Sequence, residues 1–173
     1  MRVLPWAFRF VWAHAPLVLG LSLVAALGRA VQLGGLGPVG PHGTASLEIV
    51  VESARVLLFC AVIGMGRVLD GLRTVASIVP RPPAGWRASA TAVRARLRAE
   101  WPVLIPDVVG FGVIAFGVNA AIEAVAAPGA YPLIFLLKNL TVIPLTIVFQ
   151  GGLFLLMTGR AGNARPAAPS PVG

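Results

Sequence analysis

The sequence predicts an all-α membrane protein of four transmembrane helices. They pair as two hairpins with both termini cytoplasmic, and a cytoplasmic amphipathic interfacial helix joins spans two and three. Three observations predict this. Of 173 residues, 57% are apolar and only 12% charged, about half the roughly 25% of soluble domains, and the mean hydropathy is +0.87. Four apolar runs reach the length of about 20 residues that crosses ~30 Å of hydrocarbon. Stretches rich in Arg alternate with stretches that have none, as the positive-inside rule requires.

The first span runs from about Val11 to Leu33, behind Arg2 and Arg9. A secretory leader is the rival reading, with Leu17–Leu27 as its apolar part and Ala25, Ala26 and Ala30 as its small residues. A retained helix is preferred, because the apolar stretch is a full span and its removal breaks the alternation of basic loops. The Gly- and Pro-rich loop 34–45 carries no Lys or Arg and is expected outside. The second span covers about 46–66 and continues as helix to Val79. Val68, Leu69, Leu72, Val75, Ala76 and Val79 keep a helical period there, while Arg67, Asp70 and Arg73 take another face. Pro80, Pro82 and Pro83 stop it.

Residues 86–101 then read as the interfacial helix. Trp86, Ala90, Val93, Leu97 and Trp101 form one stripe, and Arg87, Arg94 and Arg98 another. Trp86, Arg87, Arg94, Arg98 and Trp101 are its expected contacts with anionic lipid headgroups. A docking helix for a soluble partner has a similar pattern. The third span covers about 102–127 and the fourth about 132–158. Gly110, Gly112 and Gly117 of the third are expected to admit close helix approach. Residues 1–158 thus form one transmembrane domain, and 159–173 a Pro-rich disordered cytoplasmic tail.

A net charge of +8 is compatible with nucleic acid. That partner is set aside because every basic residue except Arg29, Arg55 and Lys138 lies at the end of an apolar segment. The partners expected are membrane lipids and either another membrane protein or further copies of this chain. The preference for Arg, Ala, Gly, Val and Pro fits a GC-rich genome and a bacterial plasma membrane. The lone cysteine, Cys60, allows no disulfide within the chain and reads as a small buried hydrophobe.

Six charges fall within or at the rim of the spans: Arg29, Glu48, Glu52, Arg55, Glu123 and Lys138. On the topology above all lie in the outer half of the bilayer, contributed by all four helices. Ionisable groups there are expensive and mark a candidate site. Glu48, Glu52 and Arg55 at i, i+4 and i+7 share one helix face, as do Asn119 and Glu123 at i and i+4. The charges sum to zero. The pairs expected are Arg29 with Glu48 or Glu52, Lys138 with Glu123, and Arg55 with Glu52 or Asn119. Asn139 accompanies Lys138.

His14 and Asp107 sit at similar shallow depth near the inner face, where a His–Asp pair could relay protons; two interface residues facing water is the preferred reading. Pro144 is expected to kink the fourth span, with Thr141 and Thr146 satisfying the carbonyl it frees.

Ala54, Arg55 and Gly64 match the middle of the CDP-alcohol phosphotransferase signature. Val50, Val68 and Leu72 stand where that family has metal-binding aspartates, so the match is set aside. No GxSxG, HExxH or P-loop pattern is present, and no catalytic residue, metal or cofactor is expected. The expected function is a non-enzymatic accessory or assembly subunit whose charge network sets helix register. A small transporter or channel-like protein using that network as a polar or anionic ligand site is the alternative. An intramembrane enzyme acting on lipid-linked substrates comes third.

Overall fold

The computed structural model describes residues 1–32, 40–78, 83–125 and 131–160. Its elements are all helices: α1 (Val3–Ala13), α2 (Ala15–Gln32), α3 (Pro41–Ile63), α4 (Val68–Ile78), α5 (Pro83–Val125), α6 (Tyr131–Leu140) and α7 (Val142–Met157). Three segments are long and apolar enough to cross a membrane: Ala15–Gln32, Ala90–Ala124 and Leu133–Met157. The bent pair His42–Ile63 with Val68–Ser77 makes a fourth if taken as one span. Such helices point to a membrane protein. Loop positions 33–39, the Pro-rich break at 79–82, the turn at 126–130 and the tail from 161 onward lie outside the described residues. The rest of the expected 34–45 loop is not loop, because Pro41 opens α3 directly after Gly40.

The expected first span is two helices. Pro16 has no N–H to donate to the Trp12 carbonyl, and the chain breaks at His14, the C-cap of α1. What reads as a basic leader to the span is therefore a helix of its own. α1 buries Val3, Trp6, Ala7 and Phe10, positions i, i+3, i+4 and i+7 of one stripe. It rests on α7 and α5. At Gly152 of α7 a Cβ would stand 2.8 Å from side-chain atoms of both Val3 and Trp6, so only glycine admits this approach. Trp6, Ala7 and Phe10 join Val18, Leu58, Val62, Val148 and Leu155 in the main core. Val3 packs with Leu104, Phe149 and Leu156 in a second one.

The second span does not run straight to residue 79. α3 ends at Ile63 and α4 leaves at 88°. The corner is Gly64-Met65-Gly66, with φ of 55° at Met65 and 90° at Gly66. A side chain at Gly66 would collide with the His14 ring, and one at Gly71 with the Cys60 carbonyl oxygen. α4 therefore lies directly across the last turn of α3. Gly71 is buried while Leu69 and Leu72 are exposed. Asp70 pairs with Arg67 and Arg73 at 3.8 and 3.4 Å. The segment is helical, but Leu69, Leu72 and Ala76 of its expected apolar stripe are exposed, and the period carries no record of the turn.

The expected interfacial helix 86–101 and the third span are a single element. α5 continues through Trp101, with Pro102 and Pro106 inside the helix. Proline's fixed φ suits a helix even where its missing N–H costs a bond, so Pro102 marks no boundary. The contour, at about 1.5 Å per residue, is roughly 65 Å, about twice the hydrocarbon thickness. α5 is little covered by the rest of the bundle: Val113 and Phe116 are 68% and 77% exposed. The glycines of this span do not serve the expected close approach, since Gly112 and Gly117 face open space and Gly110 meets only Leu4, at 3.1 Å.

The fourth span breaks between α6 and α7 at Thr141, three residues before Pro144. Thr141 Oγ1 donates to the Leu137 carbonyl and Thr146 Oγ1 to that of Val142, both at 2.7 Å. Neither reaches the Leu140 carbonyl that Pro144 leaves without its usual donor. The two threonines therefore brace the turns on either side of the kink.

The α3–α4 corner gives a direct test. Gly71→Val forces two branched carbons into the Cys60 carbonyl. Overpacking of this kind costs about 1–3 kcal/mol, and a backbone obstacle cannot yield as a side chain does. A lowered thermal midpoint in detergent is the expected result, with Gly20→Val, in open space, as the neutral control.

Candidate functional site: a two-part charge network

Arg29 leaves the last turn of α2 beside the first half of α3. Its Nη1 and Nη2 donate to Glu48 Oε2 and Oε1 at 2.5 and 2.7 Å, the two-pronged geometry in which guanidinium matches carboxylate. Nη2 also reaches Glu52 Oε1 at 3.5 Å. Gln32, one turn on, accepts from Arg29 at 2.8 Å and donates to Glu48 at 3.1 Å and to the Thr44 carbonyl at 3.1 Å. Gln32 was missed in the sequence. Its signal was the i+3 spacing from Arg29.

Glu52 hands the network inward. Arg55 Nη1 donates to Glu52 Oε1 at 2.6 Å and Nη2 to Asn139 Oδ1 of α6 at 3.0 Å. Asn139 is 1% exposed and donates from Nδ2 to the Phe135 carbonyl at 2.8 Å. Arg55 thus pairs with Asn139, and the alternative partner Asn119 lies elsewhere. Arg55 Nε is buried and has no partner among the described residues. Ser22, Ala54, Leu58 and Pro144 close beneath Arg55 and Asn139, around a void of only about 10 Å³.

The second part is separate. Lys138 Nζ donates to Glu123 Oε1 at 2.6 Å, and Asn119 Nδ2 reaches the same oxygen at 3.4 Å. α6 joins the two parts through adjacent residues, Lys138 toward α5 and Asn139 toward α3. Adjacent positions on a helix point about 100° apart, so one turn of α6 serves both. Each of the three cations has a carboxylate partner.

His14 and Asp107 do not meet. Asp107 is 4% exposed, and its Oδ2 accepts the backbone N–H groups of Val3 at 2.5 Å and Leu4 at 3.4 Å. It caps α1 from another helix, where free N–H groups and the positive end of the dipole favour a carboxyl group. Arg2, in the N-cap position itself, supplies no side-chain cap. His14 sits at the far end of α1. Its Nδ1 lies 3.2 Å from the Phe10 carbonyl and, facing an acceptor, carries the proton. Its ring stacks on Phe10 at 4.4 Å. The eleven residues of α1 separate them, some 16 Å at the helical rise.

Of the residues expected at lipid headgroups, Arg94, Arg98 and Trp101 are exposed on α5. Trp86 and Arg87 lie in the backbone of α5, and their side chains are outside the described residues. Arg96, singled out by nothing in the sequence, donates to the Leu156 carbonyl at 3.2 Å and ties α5 to the end of α7. Among the described residues no three His, Cys, Asp or Glu side chains converge as a metal site needs. Beside Arg55, α3 and α7 leave an open groove of about 420 Å³, lined by Val56, Phe59, Ile143, Thr146, Ile147 and Gln150.

No protein-family model matches the chain, and no curated protein or solved structure does.

The Asp107 cap makes α1 docking testable. Asp107→Ala removes the acceptor for two N–H groups, at the cost of about 1 kcal/mol typical of a lost cap. Faster hydrogen exchange confined to α1 is expected, and Asp107→Asn, which keeps an acceptor oxygen, should recover most of the protection.

Proposed function

We propose that this protein is a small multipass integral membrane protein, of a bacterial plasma membrane, acting as a non-enzymatic accessory or assembly subunit. In this reading α2, α3, α5 and α6–α7 cross the bilayer with both termini cytoplasmic. The observation that carries the functional part is the closure of the charge network. Arg29, Arg55 and Lys138 each spend their charge on Glu48, Glu52 or Glu123. A charge left without a partner at a span centre costs about 2.5–3.5 kcal/mol. Pairing removes much of that cost only in one register of α2, α3, α5 and α6, so the network acts as a register lock. The topology rests on the alternation of basic stretches in the sequence. With that topology, α4 replaces residues 86–101 as the helix lying at the cytoplasmic surface. It leaves α3 nearly at right angles with Leu69 and Leu72 exposed, a geometry that suits apolar contact with lipid below charged headgroups.

A transporter or channel-like role is the second reading, favoured by one observation: Arg55 borders the open α3/α7 groove. Charge swapping separates the two. If the network is a lock, Glu123→Lys and Lys138→Glu each lower accumulation in the membrane severalfold, and the double swap restores it. Arg55→Met should likewise lower accumulation and the melting midpoint. An Arg55→Met protein that accumulates and melts normally but loses anion binding or flux would instead make the network a ligand site.

The topology has its own measurement. In a Cys60→Ser background, Gly40→Cys should react with an impermeant maleimide from outside intact cells. Arg160→Cys should react only after permeabilisation. The reverse pattern inverts the topology.

A further inference from the structure

Gln150 lies on a face of α7 that the bundle leaves exposed, and its amide has no hydrogen-bond partner among the described residues. The Thr146 hydroxyl and the terminal nitrogens of Arg55, which also line the α3/α7 groove, are occupied. Thr146 is bonded to the Val142 carbonyl, and Arg55 to Glu52 and Asn139. The walls are Val56, Phe59, Ile143 and Ile147. Gln150 stands seven residues before the end of α7 at Met157, about 10 Å of helical rise. A side chain this short does not carry its amide out to the headgroups from there. Polar groups facing hydrocarbon without a partner are costly, and an interhelical hydrogen bond relieves the cost.

We infer that this face is where a second copy of the chain docks, about a two-fold axis along the membrane normal, with the two Gln150 amides hydrogen-bonded to each other. The inference rests on the membrane-spanning reading above and specifies the partner within it. A two-fold axis in that direction keeps each residue at the depth of its own copy and sets those beside the axis opposite themselves. An unpaired charge at such a position would face its like. A carboxamide carries both donor and acceptor and is its own complement. The charge that borders the groove, Arg55, is already offset by Glu52, so docking there brings no uncompensated like charges together. The exposed face of α5 differs. Ile105, Val109, Val113 and Phe116 there are wholly apolar, and lipid covers them without stranding a polar group.

The test uses the full chain in phosphatidylethanolamine–phosphatidylglycerol vesicles. Single-molecule photobleaching across a range of protein-to-lipid ratios should find dimers. Gln150→Leu should weaken dimerisation about tenfold, the order of an interhelical polar pair, and Gln150→Asn less so. Leucine is at home facing lipid, so Gln150→Leu should accumulate and melt like the parent. In a Cys60→Ser background, Ile143→Cys, one face with Gln150 at i and i+7, should form an oxidative cross-linked dimer. Phe116→Cys on α5 should not. A monomeric parent, an unweakened Gln150→Leu dimer, or cross-linking through Phe116→Cys alone each overturns the proposal. A Gln150→Leu protein that accumulates normally and stays dimeric refutes this interface while leaving the register lock untouched. Normal accumulation of the single Glu123→Lys and Lys138→Glu variants refutes the lock, and the Gln150→Leu result still decides the interface.

Discussion

The Arg55 guanidinium ties α6 to the pair that Arg29 and Glu48 already make of α2 and α3. One edge holds Glu52 on its own helix, and Glu52 in turn reaches Arg29 of α2. The other edge holds Asn139 of α6. Three helices therefore converge on one planar cation, and Asn139 passes the constraint to Lys138 and so to α5. Planarity matters here. Guanidinium offers several donors at fixed angles, so one residue sets directions as well as distances. Its Nε is buried and has no partner among the described residues.

The other end of the bundle is built by close approach. Gly152 lets α1 lie on α7, Gly66 lets the α3–α4 corner pass His14, and Gly71 sets α4 on the Cys60 carbonyl. Asp107 accepts directional bonds at the start of α1, and Arg96 adds one to the Leu156 carbonyl at the end of α7. Trp6, Phe10, Leu58, Val62, Val148 and Leu155 fill the space between. The molecule is thus polar and directional around Arg29 and Arg55, and apolar and steric around α1. The two regimes meet beneath Arg55, where Leu58 lines the void below the network and also belongs to the core.

Charge neutrality and helical spacing made much of the network legible in advance. Glu48, Glu52 and Arg55 share a face by arithmetic alone, and the depth of Arg29 restricts it to two carboxylates. Asn139 as the partner of Arg55 was not legible, because Asn119 and Asn139 are equivalent on paper and only helix rotation separates them. The cap from Asp107 was invisible for a related reason: its partners lie more than a hundred residues away, and backbone N–H groups leave no mark in a sequence. The break at His14 and the turn at Gly66 were written as Pro16 and a glycine pair, yet hydropathy windows average over such signals.

By itself the sequence determined that the chain is helical, that three or four stretches suit a bilayer, and which charges must find partners there. These follow from composition and from periods of a few residues, which are local properties. Only the tertiary structure decided that α1 is a helix of its own, that α4 turns across α3, that α5 runs unbroken through two prolines, and which asparagine meets Arg55. Those outcomes depend on how closely backbones approach and how each helix is rotated about its axis. Both are fixed by neighbours distant in the chain.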